Sequence, residues 1–195
     1  LNSGSTFNMG TNGAVGVYAI NSAITNNATM NIGNENYGFI LTNGTFTGGT
    51  GSVTMGSDSV YVYRSGLGTI TNGSTVTMSG SDNIGFYIVD GGEIVNNANI
   101  TGTIGNNNVG IYNVGGKIDN TGTIAVGASD LIILTDPSDG TTSVDVQNSK
   151  YAVGIYGENS IITNQTPGNI SIGYGSIGIV AKEGSAVNDG VITGT

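Results

Sequence analysis

The chain has 195 residues, of which 35 are Gly and 25 are Asn, and 13 acidic side chains against 4 basic ones give a formal charge of −9. That balance excludes a basic nucleic-acid footprint. With no Cys and no His, disulfides, thiol and imidazole nucleophiles and Cys or His zinc sites are excluded too, leaving only carboxylate chemistry.

In chain order the sequence repeats. It opens on LNSGSTF, which aligns with Ile70 to Val76 and reads as the tail of a coil. Short segments of alternating apolar and polar residues then recur, FNMG, MNIG, VTMG, VTMS, ITGT, IAVG, VDVQ and ISIG. They place Phe7, Met30, Val53, Val76, Ile100, Ile124, Val144 and Ile170 at steps of 23, 23, 23, 24, 24, 20 and 26. A second apolar column follows two residues on, from Met9 and Ile32 to Val146 and Ile172, broken by Gly102. Such alternation predicts a short strand with one face inward.

A second strand follows in each repeat as AVGVY, NYGFI, SVYVY, NIGFY, NVGIY, DLIIL, AVGIY and SIGIV. Its predicted inward pairs run from Val15/Val17 and Tyr37/Phe39 through Ile84/Phe86 and Leu131/Ile133 to Ile177/Ile179. A third element carries Leu1, Ile24, Phe46, Ile70, Ile94, Ile118, Ile162 and Val187, usually with Asn two residues later. In the sixth repeat the polar turn Asp136-Pro137-Ser138-Asp139-Gly140 stands in its place. Because the first two columns continue in register there, residues 135–143 read as a shortened coil and not as an inserted hairpin.

Three short strands per 20–26 residues, with Gly and Asn at the corners, predict an all-β fold: a single parallel β-helix over 1–195, about eight coils long. Right-handed coiling is the default for parallel crossovers. At about 4.8 Å per coil the rod is about 38 Å long. A β-propeller needs about twice this period, and the Leu-x-x-Leu-x-Leu pattern of leucine-rich repeats is absent. No apolar run approaches the roughly 18 residues that cross a bilayer. The opening LNSGSTFNMG lacks the basic start and apolar core of a signal peptide. With no polar or helical cap at Leu1 or at Thr193-Gly194-Thr195, the chain reads as an uncapped fragment of a longer solenoid.

The Val/Ile-Gly-Ile/Phe-Tyr segments, followed by Gly-x-Ile-x-Asn as in GGEIVNNANI and GGKIDNTGTI, resemble the passenger β-helix of a large type V autotransporter adhesin. The Asn-rich, Cys-free, acidic style is most similar to the fusobacterial outer-membrane autotransporters. The resemblance implies display at the cell surface through a C-terminal outer-membrane β-barrel outside these residues. It also implies attachment to a host-cell or bacterial surface protein or glycan, alongside the remainder of the same passenger. It carries over no catalytic residue, since neither Gly-x-Ser-x-Gly nor a His is present.

Candidate sites follow from the columns. Tyr63, Tyr87, Tyr112, Leu134 and Tyr156 close successive second strands, and Tyr63, Tyr87, Tyr112 and Tyr156 form an outward ridge able to stack on a ligand. An outward column of Gly16, Gly38, Tyr61, Gly85, Gly110, Ile132, Gly154 and Gly178 is expected to form a trough beside it, wide enough for a pyranose ring. Asp136 and Asp139 mark the one departure from the repeat, and such departures map to binding faces. Glu35, Asp58 and Asp82 repeat at one corner, where stacked carboxylates invite a cation such as Ca²⁺, although they lie in no calcium-binding loop motif. No metal or other cofactor is expected. Glu93 and Lys117 precede Ile94 and Ile118 in adjacent coils and are predicted to face each other. The alternative function is a carbohydrate-active lyase or hydrolase, but Arg64, Lys117, Lys150 and Lys182 are scattered over different coils. A non-enzymatic role is the expectation.

Overall fold

The computed structural model describes residues 1–194 and is all-β, a stack of parallel coils. Thr195, the last residue of the expected open end, lies outside the described residues. The first strands, Thr6–Asn8, Thr29–Ile32, Ser52–Met55, Thr75–Met78, Ile100–Gly102, Thr123–Val126, Asn169–Ile172 and Val191–Gly194, make one eight-stranded sheet. The second strands are the opening halves of Val15–Asn26 and Tyr37–Gly48, then Val60–Ser65, Ile84–Val89, Val109–Val114, Val153–Glu158 and Ile177–Lys182. The third strands are the closing halves of the same two long strands, then Thr69–Asn72, Gly92–Asn96, Gly116–Asn120, Ile161–Asn164 and Ser185–Asn188. Coils pair in parallel, each residue on its counterpart, as in Met30↔Val53, Val53↔Val76 and Ile100↔Ile124. The protein is a parallel β-helix.

Alternation explains the core. Met30, Met55, Val76, Met78, Ile100, Ile124 and Ile170 point inward from the first sheet and are almost wholly buried. They meet Phe39, Val62, Phe86, Ile111 and Ile155 from the second strands, and Phe46, Ile70, Ile94, Ile118 and Ile162 from the third. Asn residues two positions after the third-strand Ile column also turn inward. Asn72 Nδ2 donates to Asn96 Oδ1, Asn96 to Asn120, Asn120 to Asn164 and Asn164 to Asn188, each at 2.7 Å. Buried amides thus find partners along the rod axis, which is what lets them be buried at all.

The sixth repeat differs from the sequence reading. Ile124 pairs directly with Ile170, Tyr112 with Tyr156 and Ile118 with Ile162, so no coil lies between them. The intervening chain leaves the stack as an inserted hairpin, with Ile133–Thr135 antiparallel to Thr142–Val144 and a bridge between Asp130 and Lys150 at its neck. Leu131, Ile133, Val144 and Val146 therefore belong to no inward column. The apparent register arose because 46 residues separate Ile124 from Ile170, close to two periods, so an insert of about one coil's length preserves the count.

Three smaller corrections concern register. Ala186, not Val187, pairs with Ile162. Leu1 accepts from Asn27 N at 3.0 Å and so stands beside Asn26, not beside Ile24. In the second strands the inward pair lies further along than expected: Phe86 with Ile88, and Phe39 with Leu41, are buried, whereas Val15 and Tyr37 are exposed. The cause is the glycine column, which faces the core and not solvent. A Cβ on Gly110 would stand 2.6 Å from Gly154 O and 2.7 Å from Ile124 Cγ2. The outward trough does not exist.

Tyr61 makes the same point. It occupies the glycine column yet is 0% exposed, its ring centroid 5.8, 5.7 and 5.4 Å from those of Phe39, Phe46 and Phe86. Its coil neighbour in the Asn column is Gly48, the one coil between Asn26 and Asn72 without an amide there. Tyr61 Oη restores the missing partner by accepting from Asn26 Nδ2 at 3.1 Å. Burial pushes that hydroxyl up to about 12, opposed by its hydrogen bonds to Asn26 and Ser74.

Candidate binding surface

The outward column of the second strands runs Tyr18, Ile40, Tyr63, Tyr87, Tyr112, Tyr156 and Val180, all in register. Parallel pairing sets one ring on each coil at about 4.8 Å, close enough for edge and face contacts. Tyr63 and Tyr87 meet at 5.3 Å and Tyr87 and Tyr112 at 4.9 Å, both edge to face, while Tyr112 and Tyr156 stack at 4.5 Å with an interplanar angle of 13°. The four expected residues are therefore brought together in one ladder. The hairpin leaves the chain between the coils of Tyr112 and Tyr156 without parting their rings.

Tyr37 joins this ladder, its ring edge-on to Tyr63 at 6.3 Å. The sequence reading placed it inward. The signal was available: Ile40 interrupts the Tyr column, and Tyr37 lies three residues before it in the same strand. Desolvation raises the Tyr87 hydroxyl, helped by the neighbouring Tyr112, Tyr63 and Tyr37. Desolvation also raises that of Tyr156, which donates to Glu158 Oε2 at 3.2 Å. Both phenols stay neutral at physiological pH, beside the apolar faces of their neighbours.

Asp136 and Asp139 lie far from the ladder in kind, because each is occupied by its own turn. Asp136 Oδ1 accepts from Ser138 N at 2.8 Å and Ser138 Oγ at 2.6 Å, and Asp139 Oδ1 from Thr141 N at 2.8 Å and Thr141 Oγ1 at 2.7 Å. These bonds favour the ionised form and hold both carboxyls below the usual range. Glu35, Asp58 and Asp82 each take a left-handed backbone, with φ of 59°, 54° and 57°. No three carboxylates converge on a common point among the described residues, and Asp82 pairs with Lys150 at 3.0 Å. The acidic corner column therefore has a conformational cause, since Asp and Asn tolerate this region better than most residues.

Glu93 and Lys117 do face each other, paired in the ladder with Nζ 3.4 Å from Oε1. Lys182 pairs with Glu158 at 2.8 Å. Arg64 was not legible as a core residue: it points inward, is 0% exposed and donates from Nη2 to Gly91 O at 3.0 Å, with Nε and Nη1 unpartnered among the described residues. Desolvation lowers its pKa. Missed as well was a polar ladder at the corner before the second strands, where Ser59 N donates to Asn83 Oδ1 and Asn83 N to Asn108 Oδ1, both at 3.0 Å. The described residues enclose no pocket.

No protein-family model, curated protein or solved structure matches the chain.

Proposed function

We propose that this chain is a structural and adhesive segment of a surface-displayed autotransporter passenger, and that the tyrosine ladder is its contact face. The observation that carries the reading is the unbroken packing of Tyr63, Tyr87, Tyr112 and Tyr156, maintained across an inserted hairpin. Partly exposed rings bearing phenol hydroxyls suit a surface protein or glycan, offering apolar area together with hydrogen-bonding groups. The passenger's remaining coils and an outer-membrane β-barrel complete the assembly, with this segment on the extracellular side. An enzyme reading would need carboxylates and a cation converging in a cleft. Lys117, Lys150 and Lys182 are instead each paired at separate places along the rod.

The test is binding of the purified segment to epithelial cells and to partner bacteria, alongside a Tyr63→Ser, Tyr87→Ser, Tyr112→Ser variant with unchanged circular dichroism. Saturable binding lost in the variant supports the reading. Absence of binding by the folded wild type makes the segment a spacer, with recognition elsewhere in the passenger.

A further inference from the structure

The first-strand sheet has an outer surface unlike the rest of the molecule. Seven of its eight strands turn two side chains outward, two residues apart, on either side of an inward residue such as Val76, and Ile100–Gly102 turns out Thr101 with Asn99 just before the strand. Fourteen of these sixteen side chains are Thr, Ser or Asn, the exceptions being Ala125 and Val191, and none is charged. In a chain of net charge −9, every carboxylate and every cation lies elsewhere, at the corners, on the other strands or in the hairpin.

The side chains form a grid. Thr6 pairs with Thr29 and Asn8 with Asn31; Ser52 pairs with Thr75 and Thr54 with Thr77, which in turn pairs with Thr101. The hairpin does not break it, for Ala125 sits directly on Ser171. Rows repeat at about 4.8 Å along the rod and columns at about 6.6 Å along each strand, since the rise is about 3.3 Å per residue. The base is rigid: Val53, Met55, Val76, Met78 and Ile100 beneath it are buried. Threonine adds its own rigidity, because branching at Cβ restricts χ1. Thr54 and Thr75 are exposed, and Thr77 and Thr101 partly so.

We propose that this sheet is an ice-binding face, its two-column grid of hydroxyls and amides holding a layer of water in register with the surface of hexagonal ice. A two-dimensional grid recognises a two-dimensional lattice, whereas a single polymer strand would need only one column. The row spacing of about 4.8 Å lies near the short repeat of water oxygens across an ice face. Charge would defeat the match, because an ion orients its hydration shell radially, and this surface carries none. Threonine supplies both an anchoring hydroxyl and a methyl group that limits competing water contacts. A sugar chain is the poorer fit because the face presents no aromatic ring on which a pyranose would stack.

The test uses the purified chain and single ice crystals held just below their melting point. The wild type is expected to facet the crystals and arrest their growth, and a fluorescently labelled sample to be retained on a growing ice hemisphere. A Thr54→Lys, Thr77→Lys variant, with circular dichroism and melting unchanged, is expected to lose both effects. Asn148→Ala, exposed on the hairpin, is expected to keep them. If the double variant fails to fold, Thr77→Lys alone carries the comparison. Crystals that grow in wild-type protein as they do in buffer overturn the proposal. A folded Thr54→Lys, Thr77→Lys protein that retains full growth arrest overturns it as well.

Discussion

The coil stack and the Asp130–Lys150 hairpin are built from similar apolar residues and differ in what covers them. In the stack, Ile100, Ile111, Ile118 and Ile124 are all 0% exposed. In the hairpin, Ile133 is 50%, Leu134 51% and Val146 69% exposed. Backbone pairing follows the same division, since an inner coil bonds to a neighbour on each side while the hairpin bonds mainly to itself. Two isolated strands are marginal in water. The hairpin is accordingly organised by local hydrogen bonds that Asp136, Asp139 and Asp145 accept from their own turns. Repetition supplies the stack with a core that an insertion of equal hydrophobicity does not acquire.

The contrast is broken most sharply by truncating matched residues. Phe86→Ala removes a ring that packs on Tyr61 at 5.4 Å within the core, and is expected to cost about 3–5 kcal/mol. Ile133→Ala, on the hairpin, is expected to stay within about 0.5 kcal/mol, as exposed substitutions do. Urea titration followed by circular dichroism checks both. Equal effects would mean that the hairpin is packed in solution.

The next largest effect is predicted in the buried amide ladder. Asn120 accepts from Asn96 and donates to Asn164, each at 2.7 Å. Asn120→Ala strips a partner from both neighbours and is expected to cost about 1–3 kcal/mol, the range for leaving buried polar groups unsatisfied. The same substitution at Asn148, exposed on the hairpin, is expected to leave the urea midpoint unchanged.

These pairs also mark what could be read from the chain alone. A side-chain period of two, repeated at 22 to 26 residues, identifies the strands, their inward columns and the ridge of Tyr63, Tyr87, Tyr112 and Tyr156, because stacking carries each residue onto its counterpart. Counting periods does not detect an insert of one period's length, so Val144 and Ile133 passed for core. Alternation alone also misassigns the glycine column, because the consecutive residues Gly110 and Ile111 are both buried. Arg64 and Tyr61 were hidden for a related reason: their burial depends on what neighbouring coils lack, Gly48 for Tyr61 and the bare corner at Gly91 and Gly92 for Arg64.

Removing the hairpin is predicted to matter less than either substitution in the stack. Asp130 and Lys150 already bridge at its neck, so a chain that joins them through a two-glycine link keeps the pairing of Tyr112 with Tyr156 and Ile124 with Ile170. Shortening a surface loop changes its closure entropy only slowly. The expected result is an unchanged strand signal in circular dichroism and a melting temperature within a few degrees of wild type. Loss of cooperative melting would show that the hairpin supports the coils it leaves.

The smallest effect is a local one with pH. Hydrogen bonds from Ser138 to Asp136 and from Thr141 to Asp139 lower both carboxyl pKa values, as do those from Asn148 and Gln147 to Asp145. A carboxyl whose folded pKa is depressed contributes stability that is present above its unfolded value and is lost as pH falls through the folded one. The turns are therefore expected to hold at neutral pH and to loosen only below the ordinary aspartate value of about 3.9. Amide resonances of Ser138 and Thr141 should then move toward random-coil positions while those of Val76 and Ile118 stay in place. The coil ladder involves no ionisable group at Asn72, Asn96 or Asn120, which is why the two regions separate on this axis. Simultaneous movement of both sets would tie the hairpin turns to the stack.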